Sequence, residues 1–195
     1  MAAPLIWING YPGTGKLTVA TALKKLNKSI VLIDNHQLID PVEAEYSRSH
    51  PEYQRQRQIR RKEAFIQHVS SPDSLSQTVV FTDFQTTNKQ GESVAKEYQQ
   101  AALEAARPFL PIYMTCDEQE NIKRVCSKER VDSDTTKLTD RHLLQTFRSS
   151  TAIYRFQDCV GLSIDVTDIS SEEAASQIAE HIAQCGADPL SEKER

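Results

Sequence analysis

The chain has 195 residues, 38% of them hydrophobic and 26% charged, with a formal net charge of -4. That length and apolar content suffice for a buried core without disulfides or a structural metal, and the acidic balance argues against a protein that grips nucleic acid or an anionic membrane through a broad basic face. Cys116, Cys126, Cys159 and Cys185 form no C-x-x-C pair and have no histidine at zinc-finger spacing, so no metal or redox pair is expected and a reducing cytoplasm is the simple setting.

The first apolar run, Leu5 to Ile8, is too short for a signal-peptide core or a membrane span. With Pro4 and Asn9 around it, and a glycine turn behind, it reads as a strand buried on both faces. Gly15 to Leu26 reads as a helix, with Leu17, Val19, Ala20, Leu23 and Leu26 at helical spacing and Lys24, Lys25 and Lys28 at its C-terminal end. Ser29 to Ile33 is a second strand ending in Asp34. Pro51 to Val69 reads as a long, arginine-rich helix closed by Pro72. Gln77 to Phe84 is a third strand carrying Asp83, Ser93 to Arg107 a helix stopped by Pro108, and "FLPIYMTC" a fourth strand.

Asp117 to Lys128 is a further helix and leads into a polar, glycine-free stretch, Glu129 to Lys137, expected to be mobile. Thr139 to Ser150 reads as a helix capped by Thr139. "GLSIDVTD" is a fifth strand, Glu172 to Gln184 a closing amphipathic helix, and Pro189 to Arg195 a charged tail expected to be disordered. Near-continuous apolar strands alternating with helices imply an α/β fold of one domain, with a parallel sheet covered on both sides.

Gly10, Gly15 and Lys16 satisfy most of the phosphate-loop pattern G-x-x-x-x-G-K-[ST], but Leu17 replaces the hydroxyl residue that ligates magnesium. A bound phosphate needs converging backbone N–H donors, and Gly10, Gly13 and Gly15 give the backbone that freedom. The first turn of the next helix adds free N–H groups, and Lys16 is placed to bridge the β- and γ-phosphates. The strand before the loop and the helix after it give the motif its weight over an incidental glycine turn.

The string G-Y-P-G-T-G-K-L-T, Gly10 to Thr18, resembles the loop of adenylate kinase and its relatives, where a small or apolar residue and then a threonine follow the lysine. The resemblance extends over Leu5 to Cys185, and "PGTGKLTVA", "DNH" and "KLTD" are similar to small microbial AAA-labelled, kinase-like proteins. It implies a three-layer P-loop fold with a five-stranded parallel sheet in the order 2-3-1-4-5. It also implies an acceptor-binding helical segment over about 36–70, a small lid over about 124–140, and one domain over 1–186 before the tail at 187–195.

The same resemblance implies ATP and Mg2+. Gly10, Tyr11, Pro12, Gly13, Thr14, Gly15, Lys16, Leu17 and Thr18 would cradle the phosphates, with the Thr18 hydroxyl on the α-phosphate. Val166 and Thr167, in the loop after the last strand, would lie against the adenine. Without a hydroxyl at Leu17, magnesium would be held through waters and carboxylates.

Phosphoryl transfer asks the protein for positioning and charge stabilisation, so the groups to seek are strand-end carboxylates and nearby cations. Asp34 and Asp83 end two strands and so border the ligand crevice. Asp83 fits a Walker B acid that binds the metal through water, against the alternative of a turn cap. Asp34 is placed like the aspartate of shikimate, gluconate and chloramphenicol kinases that meets the acceptor hydroxyl, and is the first choice for general base. His36 is a secondary substrate contact.

In "RQRQIRRK" a solvated face is the default, but by its resemblance to the substrate-binding segment of nucleoside monophosphate kinases this helix would grip an anionic acceptor, with Arg60 and Arg61, beside Ile59 on the side expected to meet the sheet, as the candidates. By the resemblance, Arg124 and Arg130 would close over the phosphates. The nucleotide kinases' glycine and arginine after the third strand are missing from Phe84 to Thr87, and "TNKQG" lacks the aspartate of a guanine signature. The expectation is therefore an ATP-dependent kinase of a small hydroxylated acceptor, monomeric or homodimeric, with no nucleic acid or membrane partner. The alternatives are a nucleoside monophosphate kinase and an ATP-binding switch or ATPase acting on a protein partner.

Overall fold

The computed structural model describes residues 2–132 and 136–186. Five parallel strands, β1 (Leu5–Gly10), β2 (Val31–Ile33), β3 (Val79–Asp83), β4 (Phe109–Thr115) and β5 (Leu162–Asp165), lie in the order β2-β3-β1-β4-β5. This is the order expected for the P-loop fold. Every residue of β1 and β3 is buried, because helices cover both faces and alternate side chains enter opposite layers.

On one face Leu5, Trp7, Val79 and Phe81 pack with Phe65, Val69 and Tyr98 of the chain between β2 and β4. On the other, Ile6, Ile8, Val80 and Ile112 pack with Val19 and Leu23 of α1 (Lys16–Leu26) and with Ala174 and Ile178 of α8 (Ser171–Gly186). The register sets Asn9 opposite Asp83, and Ile33 opposite Phe81, so the residues leaving β1, β2 and β3 emerge side by side at one sheet edge. Far from that edge the buried Arg107 guanidinium ties the N-terminal segment to the chain between α3 and β3, donating to the carbonyls of Ala3, Val69, Ser74 and Gln77.

Several elements differ in detail from the sequence expectation. α2 (Asn35–Glu43) begins the helical segment expected over about 36–70 and accommodates Pro41 within it. Asp34 starts it, its N–H donating to Gln37 Oε1 at 3.2 Å, and Leu38, Ile39 and Val42 bury its inner face. α3 spans Tyr53–Phe65 and then widens into a π turn, Ile66–Ser70. α4 (Lys89–Glu104) starts four residues earlier than Ser93, since Asn88 caps it by accepting from Gly91 N at 2.7 Å. "TNKQG" is thus a helix start.

After β4 come α5 (Glu118–Val125), the short α6 (Lys128–Val131) and α7 (Arg141–Ser150). α6 occupies the beginning of the stretch expected to be mobile. The cap of α7 is Asp140, which accepts from His142 N at 2.8 Å and Leu143 N at 3.1 Å, in place of Thr139. The middle of the expected lid, 133–135, and the expected tail, 187–195, lie outside the described residues. No helix among the described residues is long and apolar enough to cross a membrane.

Candidate active site

The carboxyl ends of β1, β2 and β3 open into a cleft of about 390 Å³. Its floor is the loop from β1 to α1. Gly13 and Gly15 take φ of +84° and +87°, the left-handed region that turns successive N–H groups to one side. A Cβ on Gly13 would meet Val125 Cγ2 at 2.4 Å and Asn121 Nδ2 at 2.8 Å, so α5 presses on the loop from behind. A Cβ on Gly15 would meet nothing within 4 Å, so it is the left-handed φ and not crowding that calls for glycine there.

The rest of the loop is held from within. The Thr14 hydroxyl donates to Tyr11 O at 3.0 Å, Asn121 Nδ2 donates to Pro12 O at 2.8 Å, and the Tyr11 hydroxyl donates to Thr151 O. Lys16 Nζ donates to Gly10 O at 2.7 Å and Tyr11 O at 2.9 Å. The lysine keeps partial exposure, yet its ammonium is enclosed. That enclosure, with Arg130 adding to it and Asp83 and Asp34 opposing it, lowers its pKa to about 8.

Asp34 and Asp83 line the same cleft but are differently engaged. Thr82 Oγ1 donates to Asp34 Oδ1 at 2.6 Å, and the same hydroxyl oxygen accepts from Asn35 N at 3.2 Å, so β3 orients the start of α2. Asp83 is 1% exposed, with Gln85 Nε2 at 2.9 and 3.0 Å from its two oxygens and Phe84 N at 2.7 Å from Oδ1. Among the described residues no three histidine, cysteine or carboxylate side chains group into a metal cage. Asp34 and Asp83 are the cleft carboxylates that could hold a metal ion through its waters.

The far wall comes from α2, α3 and the turn between them, and the near wall from α6 and the chain after it. Asn35, His36, Arg48, Tyr53, Gln54 and Arg57 line the first, and Arg130, Thr136, Lys137 and Leu138 the second. His36 Nδ1 lies 3.1 Å from Asp40 Oδ1, and Thr136 Oγ1 donates to that same oxygen at 2.6 Å, joining the two walls. Arg130 Nε donates to Leu138 O at 2.7 Å, and burial of its guanidinium lowers its pKa while Asp34 opposes the shift.

A model of the family described as AAA domain matches residues 6–145. The chain belongs to the AAA domain family. No curated protein matches the sequence. Among solved structures, a gluconokinase from Sinorhizobium meliloti superposes with a TM-score of 0.66 at 14% identity, covering 98% of each chain. The Mycobacterium tuberculosis APS kinase, in complex with AMPPNP and APS, gives 0.57 at 15% identity over 94% of this chain and 98% of that one. The tunicamycin resistance protein of Deinococcus radiodurans gives 0.59 at 14% over 92% and 95%. At these identities the likeness is one of fold.

The AAA domain match takes in the loop, both aspartates, Arg124 and Arg130, and ends before β5. Within it the expected site residues divide. Pro12, Gly13, Gly15, Lys16, Leu17, Thr18, Asp34, His36, Asp83 and Arg130 line the cleft; Gly10, Tyr11 and Thr14 shape the loop beneath it. Arg60 and Arg61 do not line it. Arg60 is exposed and pairs with Glu63, while Arg61, buried on the inner face of α3, pairs with Glu97 at 2.8 Å. Burial works against the Arg61 charge, but the Glu97 hydrogen bonds prevail and raise its pKa.

Arg124 is likewise placed away from the cleft. It donates to Val166 O at 2.9 Å and Thr167 O at 3.2 Å, and to Glu120 at 2.9 Å, so it meets the loop after β5 instead of the phosphate end. The sequence reading missed Asn35, Arg48, Tyr53 and Arg57. The signal was available: Tyr53, Arg57, Arg61 and Ala64 recur at helical spacing on the inner face of α3, whereas Ile59, used to orient it, is 38% exposed.

Proposed function

We propose that the protein is an ATP-dependent small-molecule kinase, working in the cytoplasm and moving the γ-phosphoryl group of ATP to a hydroxyl of a small acceptor. The observation that carries this reading is the convergence of Lys16, Asp34 and Arg130 on one cleft floored by a phosphate loop. The fold likeness to a gluconokinase and to an APS kinase bound to AMPPNP points the same way. The free cysteines suit a reducing compartment.

In this reading the loop amides and Lys16 bind the β- and γ-phosphates, exchanging the lysine's carbonyl partners for phosphate oxygens, and Thr18 meets the α-phosphate. Arg124 orders the Val166–Thr167 backbone against the base, which makes it a positioning residue. Asp34 accepts the proton of the acceptor hydroxyl. The oxygen so freed bonds to the γ-phosphorus as the bond to the bridging oxygen breaks and ADP leaves, while Arg130 offsets the charge on the moving group. Asp83 would hold a magnesium ion through its waters, and the ion would supply neutralisation of phosphate charge.

A small acceptor is favoured over a nucleotide because the Phe84–Thr87 segment is occupied structurally. Gln85 binds Asp83 and Asn9, and Thr86 bridges to Ile153. The test is ATP turnover against a panel of metabolites, nucleosides and nucleotides, with Lys16→Ala as the inactive control. If no acceptor raises turnover above basal hydrolysis while a protein partner does, the kinase reading fails. Asp34→Asn should lower transfer by about 100-fold or more with ATP binding nearly intact; loss of ATP binding would demote Asp34 to a structural or metal role.

A further inference from the structure

α3 carries four arginines on its cleft-side half and beyond, Arg55, Arg57, Arg60 and Arg61. Three of them are neutralised by glutamates: Arg55 by Glu52, Arg60 by Glu63 and Arg61 by Glu97. Arg57 lines the cleft, and no carboxylate among the described residues forms an ion pair with it. Its Nε is buried without a hydrogen-bond partner. Its Nη2 donates a long hydrogen bond to Asn35 Oδ1 at 3.4 Å, and its guanidinium stands 6.0 Å from the Tyr53 ring centroid.

The two cleft carboxylates have other partners. Asp83 is held by Gln85 and the Phe84 N–H, and Asp34 by Thr82. The neighbouring Arg48 is paired with Glu43 at 2.6 Å. An arginine that lines a cleft without a carboxylate partner can take a planar oxyanion edge-on through its terminal nitrogens, with two parallel hydrogen bonds. Asn35 ties this guanidinium to the first turn of α2, whose cap is Asp34, so the cationic and carboxylate positions are adjacent.

We propose that Arg57 anchors an anionic group of the acceptor, a carboxylate or a phosphate, so that the substrate is a small hydroxy acid or a phosphorylated alcohol and not a neutral polyol. The inference rests on the kinase reading for the hydroxyl at Asp34, but the anion site stands on Arg57 itself. Specificity then arises at the end of the acceptor opposite the reacting oxygen, where a neutral analogue leaves Arg57 unpaired.

The experiment compares matched ligands on protein loaded with a non-hydrolysable ATP analogue. Gluconate is set against sorbitol, and glycerol 3-phosphate against glycerol, with binding read by calorimetry; the pair showing the larger preference tells carboxylate from phosphate. At least one anion should bind about 10-fold or more tighter than its neutral partner, and Arg57→Gln should erase that preference, with Arg57→Lys intermediate because it keeps charge without the fork. Thermal melting and analogue binding of each variant, measured alongside, verify folding. Equal binding within both pairs, no binding of either anion, or a preference surviving in Arg57→Gln overturns the proposal. Phosphoryl transfer to a neutral acceptor at a rate indifferent to Arg57→Gln would also overturn it while leaving the kinase reading intact. Arg57-dependent anion binding without transfer to any acceptor would do the reverse.

Discussion

Lys16 shows how one residue's surroundings set the conditions under which the cleft works. Its ammonium is enclosed by the loop and repelled by Arg130, and a pKa of about 8 follows. Raising pH through that value removes the proton before the triphosphate arrives, so ATP affinity should fall between about pH 7 and 9, the charged form being the one that binds phosphate. Lys16→Arg, which does not titrate in that range, should bind more weakly but with a flat profile. A titration of nucleotide affinity against pH in the two proteins checks this, and an equally steep decline in the arginine variant would assign the effect to another group. The lysine and its glycines were legible in the sequence because a phosphate loop is local: strand, turn and helix are contiguous. Arg57 and Thr82 were not, because their part in the cleft depends on which face of α3 turns inward and on the β2–β3 register, both of them products of packing.

At the scale of elements, α3 is fixed by a charged contact in place of the apolar stripe that usually orients a helix. Arg61 is 2% exposed and meets Glu97 of α4 through two hydrogen bonds, at 2.8 and 3.2 Å, while Arg60 one position along pairs with Glu63 in solvent. Removing the partner of a buried charge leaves that charge uncompensated. Glu97→Ala should therefore lower stability by about 3 kcal/mol, whereas Glu63→Ala should change it by no more than about 0.5 kcal/mol. Urea unfolding of both variants decides it; similar losses would mean that packing of Tyr53, Ala64 and Phe65 orients α3 unaided. The sequence misled here because a helix half charged by composition has no strong apolar face. The start of α2 could have been placed from the D-x-x-Q pattern from Asp34 to Gln37, which is a helix-start signature.

For the whole molecule the parallel sheet was legible in near-continuous apolar strands between helices, and its order came from the likeness of the phosphate loop to that of adenylate kinase and its relatives. How the cleft is closed across its mouth was not, because that depends on a contact between residues 96 positions apart. Thr136 Oγ1 donates to Asp40 Oδ1 at 2.6 Å, and both residues are near solvent. A single exposed hydrogen bond is worth about 1 kcal/mol, little enough for the mouth to open at small cost yet enough to bias it closed. A kinase gains from that bias because water admitted to the cleft competes with the acceptor for the γ-phosphoryl group. Thr136→Val keeps the shape of the side chain and removes the donor, so the open population should rise by up to about 5-fold, a factor of ten being 1.4 kcal/mol. Acceptor-free ATP hydrolysis should rise in proportion relative to phosphoryl transfer, while global unfolding shifts by less than about 0.5 kcal/mol. Measuring hydrolysis and transfer in the same reaction separates the outcomes: an unchanged ratio means that the walls are held together by other contacts, and a fall in both rates means that Thr136 serves the chemistry itself.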